Sequence, residues 1–167
     1  TLKVGPGLDK NSEMGPLVNK EHLENVKGYV DLGIKEGAKL VVDGRNIKLQ
    51  GYAKGFYIGG CLFANVDKKM RIYKEEIFGP VISVVRVKDF KSAVDLVNGH
   101  ELGNGTSIYN RDGDVGRMFD RKIKIGMVGI NIPIPSRLYT SDAVDDLLCV
   151  DLGGRLTLTQ QTRERTE

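Results

Sequence analysis

Between residues 81 and 132 the chain reads strand, helix, strand, helix, strand with short turns, and this order constrains its fold more than any other feature. Residues 81–87 are an apolar, β-branched run ahead of Asp89, which can cap a helix reaching about Asn98. Phe90, Ala93, Val94 and Val97 share one face of that helix. Residues 105–109 read as a strand again. Asp112 opens a second helix, to about residue 124, with Val115, Met118, Phe119 and Ile123 on its apolar face. Residues 127–132 form the third strand, ended by Pro133. This alternation predicts an α/β fold: a doubly wound, mostly parallel sheet, its three strands side by side and joined by right-handed crossovers.

Ahead of it, Leu23, Val26, Val30 and Ile34 recur at helical spacing, with Tyr29 on the flank and Gly37 as the stop. Residues 38–42 then read as a strand closed by an Asp43-Gly44 turn. Residues 44–60 form an irregular, glycine-rich connector, and Cys61-Leu62-Phe63 a short strand.

Composition narrows the function classes. A chain of 167 residues can bury a sizeable core. A net charge of +3 with no basic cluster gives no footprint for nucleic acid. No apolar run is long enough to span a bilayer, and the amino terminus has no secretory h-region. Cys61 and Cys149 lie 88 positions apart, which is neither a disulfide framework nor a zinc pattern. Reduced thiols in a cytosol-like compartment are the expectation. The chain opens at Thr1 in a loop-like stretch, as a processed domain or a piece of a longer protein would.

The stretch Lys74-Glu75-Glu76-Ile77-Phe78-Gly79-Pro80 places three charges before the first strand. It fits a solvated charge cluster, a proline-stiffened turn, or a ligand site. In the last case a carboxylate would grip a diol such as a ribose and an aromatic ring would lie against a flat one. In residues 126–135, Asn131 stands at a strand end, where it can cap a turn or donate its amide to an oxyanion. Gly103-Asn104-Gly105 reads as a tight turn, because the lysine and hydroxyl of a phosphate loop are missing. His22 and His100 have no metal partner at fixed spacing and read as surface residues. Cys61 sits in an apolar run and Cys149 among acidic residues, so neither is an activated nucleophile.

The string YKEEIFGPV, residues 73–81, resembles the glutamate motif of the NAD(P)-dependent aldehyde dehydrogenases. MGPLV (14–18), EGAKLVVDGR (36–45), GYAKGFYIGGCLFANV (51–66), GNGTSIY (103–109) and GMVGINIPIP (126–135) are similar to one branch, the methylmalonate- or malonate-semialdehyde dehydrogenases. GINIPIP is the most specific mark. The resemblance implies that residues 1–135 are part of an aldehyde dehydrogenase catalytic domain and residues 136–167 an atypical tail. It implies that Glu76 accepts hydrogen bonds from the nicotinamide ribose, that Phe78 contacts the nicotinamide, and that Asn131 lines the substrate pocket. It implies NAD as cofactor, coenzyme A as co-substrate and a small semialdehyde as substrate, with a thiolate attacking the aldehyde and coenzyme A taking the acyl group. A homo-oligomer is implied, in the cytoplasm or mitochondrial matrix, within valine and inositol catabolism. The family's nucleophilic cysteine, oxyanion asparagine and Rossmann half have no counterpart in this sequence, so the chain alone should not turn over aldehyde. A non-catalytic module serving as a packing partner is the rival expectation.

The final 32 residues depart from the branch, with four Arg against six Asp and Glu and one aromatic. Ser141 can cap a short helix carrying Val144, Leu147 and Leu148; the residues beyond it alternate weakly and end polar. Deleting residues 152–167 should therefore change the thermal midpoint little, and limited proteolysis should cut first beyond Asp151. A tail as resistant as the body would contradict this.

Overall fold

The structure, a computed structural model, describes residues 2–134. The expectations for the tail, including the Ser141 helix and the setting of Cys149, lie outside the described residues. The chain divides into two compact units, ending and beginning at Val87 and Lys88.

In the first unit, helix α1 (Lys20–Lys35) starts where Asn19 accepts a hydrogen bond from the His22 amide at 2.7 Å. It ends just before Gly37, whose φ of +93° turns the chain out of the helix. Strands β1 (Lys39–Val42), β2 (Cys61–Ala64) and β3 (Val81–Ser83) come next, with the four-residue helix α2 (Arg71–Lys74) between β2 and β3. The sheet order is β1-β2-β3; β1 pairs antiparallel with a bulge after Leu40, and β3 pairs parallel. Strand β2 is central, with Cys61 and Phe63 buried on its inner face.

Helix α1 meets this sheet through Leu23, Val26, Val30 and Gly33. Ile34, expected on the apolar face, is 43 % exposed, because the packing position belongs to Gly33. A Cβ at Gly33 would sit 2.9 Å from Cζ of the fully buried Phe63 and 3.0 Å from Cδ1 of Ile72. Absence of a side chain there lets helix and strand approach. The connector 44–60 also contributes, since Ile58 is fully buried although no periodicity marks it.

The second unit holds α3 (Phe90–Asn98), β4 (Gly105–Ile108), α4 (Gly113–Lys122) and β5 (Met127–Ile130). Asp89 and Asp112 cap the helices as expected: Asp89 accepts from the Ser92 amide at 2.7 Å and Asp112 from the Asp114 amide at 2.8 Å. Strands β4 and β5 are parallel and in register from Gly105–Met127 to Ile108–Ile130. Val94, Phe119 and Ile123 form the core, and Met118, expected with them, is 43 % exposed.

The α/β class holds, with parallel pairing in each unit. One expectation fails. Among the described residues the three strands do not form one sheet: β3 pairs with β2, and β4 with β5. The alternation along the sequence fixes element type and leaves the partner of β3 open, because β2 lies upstream of the periodic segment. β3 is also shorter than the apolar run 81–87, although the Val84 amide still donates to the Phe63 carbonyl at 2.9 Å.

Two glycines of α1 give opposite expectations. Gly33→Ala gains helix propensity of about 1 kcal/mol but overpacks Phe63 at a cost of about 1–3 kcal/mol, for a net loss of up to about 2 kcal/mol. Gly28→Ala meets nothing within 4 Å and should gain up to about 1 kcal/mol. Urea unfolding of the two variants checks the signs.

Candidate functional site

Residues 71–80 join α2 to β3 and carry the charge cluster. Its first turn is anchored to α1: both carboxylate oxygens of Glu36 accept from the Arg71 amide at 3.0 Å. Ile72 is buried beneath. Arg71 in turn holds Glu75, four residues on, with Nε donating at 2.6 Å and Nη2 at 3.0 Å. The Tyr29 hydroxyl of α1 donates to the same carboxylate at 2.7 Å. Hydrogen bonds from Arg71 and then Tyr29 pull the Glu75 carboxyl down to about 2. The same bond pushes the Tyr29 phenol up.

The next residues divide by role. Ile77 is buried and Phe78 is 77 % exposed. Glu76 is exposed, and among the described residues it has neither a hydrogen bond nor an ion pair. Its two carboxylate oxygens are therefore available to an external donor. Gly79 lies against α1, where a Cβ would stand 2.7 Å from Cγ2 of the buried Val26, so only glycine fits without displacement.

Phe78 has φ +54°, the left-handed region that costs a bulky residue roughly 1–2 kcal/mol. Its carbonyl oxygen lies 2.7 Å from Nε2 of His22. That nitrogen is the donor, because a carbonyl only accepts, and one such bond offsets the strain by about 1 kcal/mol. The two rings meet edge-on, centroids 6.2 Å apart. His22, expected as a surface residue, is half-buried and bonded to the turn.

Asn131 comes directly after β5 with φ +57°. Its amide donates to the Ile108 carbonyl at 2.8 Å, and its side-chain oxygen accepts from the Asn110 amide at 2.8 Å. It therefore ties the ends of β4 and β5 together, as the turn-capping reading expects. Cys61 is buried, receives the Gly44 amide on Sγ at 3.3 Å, and has its thiol pushed up by burial. Glu76 and Phe78 belong to the first unit and Asn131 to the second.

Sequence reasoning missed three partners. His22 and Tyr29 lie 56 and 46 residues from their partners, beyond any local pattern. Arg71 and Glu75 carry a visible i,i+4 signal once α2 is recognised.

The sequence pattern of the aldehyde dehydrogenase family matches residues 1–141, and the chain belongs to that family. A malonate-semialdehyde dehydrogenase of Pseudomonas aeruginosa is 51 % identical over 134 residues, covering 80 % of this chain and 27 % of the relative. Malonate-semialdehyde dehydrogenase 1 of Bacillus thuringiensis is 40 % identical over 135 residues, covering 81 % and 28 %. A crystal structure from Sinorhizobium meliloti 1021, assigned as a methylmalonate-semialdehyde dehydrogenase and complexed with NAD, superposes with a TM-score of 0.80. It is 54 % identical and covers 84 % of this chain and 28 % of its own. The methylmalonate-semialdehyde dehydrogenase of Oceanimonas doudoroffii gives a TM-score of 0.79 at 47 % identity, covering 83 % and 28 %. The chain thus spans little more than a quarter of the length of these relatives.

The Glu75 carboxyl is lower in the folded chain than its ordinary value of 4.5, so it contributes stability above that value and loses it as pH falls toward about 2. Glu75→Leu should lower the urea midpoint at pH 6, and the difference from the parent chain should shrink steadily between pH 4.5 and 2. A difference that does not vary with pH would rule out the ion pair as its source.

Proposed function

We propose that the chain is part of an NAD-dependent, coenzyme A-acylating methylmalonate- or malonate-semialdehyde dehydrogenase, which converts semialdehyde, coenzyme A and NAD to acyl-CoA, CO2 and NADH. Residues 1–135 are the catalytic-domain portion and residues 136–167 an atypical tail. The parent enzyme is a homo-oligomer of the cytoplasm, or of the mitochondrial matrix in a eukaryote. The observation that carries the proposal is the division of labour at the turn. Glu75 is held by Arg71 and Tyr29, while Glu76 is exposed without a partner beside an exposed Phe78. A free carboxylate next to a presented aromatic ring fits a ribose diol carrying a flat ring.

In the bound enzyme NAD supplies the hydride acceptor. Glu76 orients the nicotinamide ribose by accepting from its hydroxyls, and Phe78 limits movement of the nicotinamide. Asn131 lines the substrate pocket; its side-chain oxygen is already bonded, which leaves the amide nitrogen as its side-chain donor. Cys61 takes no part: a buried thiol with a raised pKa is a poor nucleophile. The rival reading of the chain as a packing module expects the same of Cys61.

A hybrid enzyme separates the two readings. Residues 1–135 of this chain replace the matching segment of the Pseudomonas aeruginosa relative. The hybrid should reduce NAD with malonate or methylmalonate semialdehyde, with coenzyme A as acyl acceptor. A folded hybrid without activity would favour the module. In the active hybrid Glu76→Gln should slow single-turnover hydride transfer about five- to tenfold with little effect on aldehyde KM, since a neutral acceptor binds hydroxyls more weakly than a charged one. Unchanged transfer would remove Glu76 from the cofactor site.

A further inference from the structure

We propose that His22 is a positioning residue for the nicotinamide site: its Nε2–H holds the Phe78 carbonyl and so fixes the left-handed backbone that presents the Phe78 ring. The inference deepens the proposed function and rests on it where it speaks of the cofactor; the clamp itself rests on geometry alone.

The geometry has three parts. Phe78 is at φ +54°, a conformation that a bulky aromatic residue leaves unless something holds it. Its neighbours are fixed, Ile77 by burial and Gly79 by the close approach of Val26, so the peptide between them is the one that can turn. The His22 ring reaches that carbonyl at 2.7 Å from the first turn of α1, which Asn19 caps through the amide of His22 itself. The ring therefore stands on a rigid support. It touches the Phe78 ring edge-on at a centroid distance of 6.2 Å and leaves that ring 77 % exposed. The backbone is held while the aromatic face stays open. An aromatic group fixed in advance loses less freedom when a flat ring settles on it, and a small misplacement of a positioning group slows chemistry more than it weakens binding.

The test compares His22→Leu with His22→Gln, because the Gln amide can still donate and Leu cannot. In the full chain, Phe78 backbone chemical shifts report the sign of φ, and the ring nitrogen shifts of His22 report its tautomer. The parent chain should show a protonated Nε2 and a left-handed Phe78. His22→Leu should move Phe78 to negative φ, and His22→Gln should restore it. In the hybrid of this chain with the Pseudomonas aeruginosa relative, carrying the same substitutions, His22→Leu should lower the rate of hydride transfer about tenfold or more while the KM for NAD changes less than about threefold. His22→Gln should stay within about threefold of the parent on both.

A left-handed Phe78 in His22→Leu, or equal behaviour of Leu and Gln, would overturn the clamp. A released Phe78 with unaltered hydride transfer would overturn the positioning role and leave the hydrogen bond intact as a structural one. An inactive hybrid with His22 in place would count against the proposed function alone, and the spectra would then decide the clamp. Where His22→Leu fails to fold, a His22→Gln variant that loses the left-handed Phe78 overturns the clamp and one that keeps it supports it.

Discussion

The turn before β3 depends on how closely α1 can approach it. Two glycines set that distance, Gly33 against the buried ring of Phe63 and Gly79 against the buried Val26. A side chain at either position would push the helix off the sheet by roughly the radius of a methyl group. Everything the helix offers to the turn is delivered across that contact: the Tyr29 hydroxyl to Glu75, the Glu36 carboxylate to the start of α2, and the His22 ring to Phe78. Three polar tethers, two from the helix and one from its C-cap Glu36, flank this close apolar contact.

Those tethers distinguish the two consecutive carboxylates. Glu75 is in extended backbone, with φ −100° and ψ 144°, so its side chain and that of Glu76 point to opposite sides. Glu75 turns toward Tyr29 and Arg71, Ile77 into the core, and Glu76 is left exposed. A slip of one position would bury the carboxylate of Glu76 and expose Ile77. The register is held by the Glu75 ion pair and by the burial of Ile77 two residues on. The two carboxylates thus differ: Glu75 is bonded within the fold, and Glu76 is exposed and, among the described residues, without a partner.

How much of this was legible in the sequence depends on the range of the interactions involved. Helix caps are local, and Asn19, Asp89 and Asp112 sit where the capping geometry needs them, although only the two aspartates are visible as caps without the structure. The apolar face of α1 is legible except at its end, where Gly33 replaces a side chain and Ile34 falls outside. Strand pairing is not local, and the partner of β3 could not be read from the alternation that defined it. The site was legible only through its motif. Spacing alone cannot tell Glu75 from Glu76, because the residue that distinguishes them, Tyr29, lies on another element.

The same constraint of range explains why the Phe78 turn needs a partner. Among the described residues three without glycine's freedom have positive φ: Asn65, Phe78 and Asn131. Asparagine tolerates the left-handed region, since a short polar side chain can bond the nearby backbone. Asn131 does this directly, with its own oxygen on the Asn110 amide. Phenylalanine has no polar atom with which to do so. Whatever stabilises its conformation has to come from elsewhere in the fold, through the one group the turn exposes for bonding, the Phe78 carbonyl. His22 is the side chain bonded to that oxygen. Phe78 is therefore the one residue of the three whose backbone cannot be held by its own side chain, and the first turn of α1 supplies the hydrogen bond that it lacks.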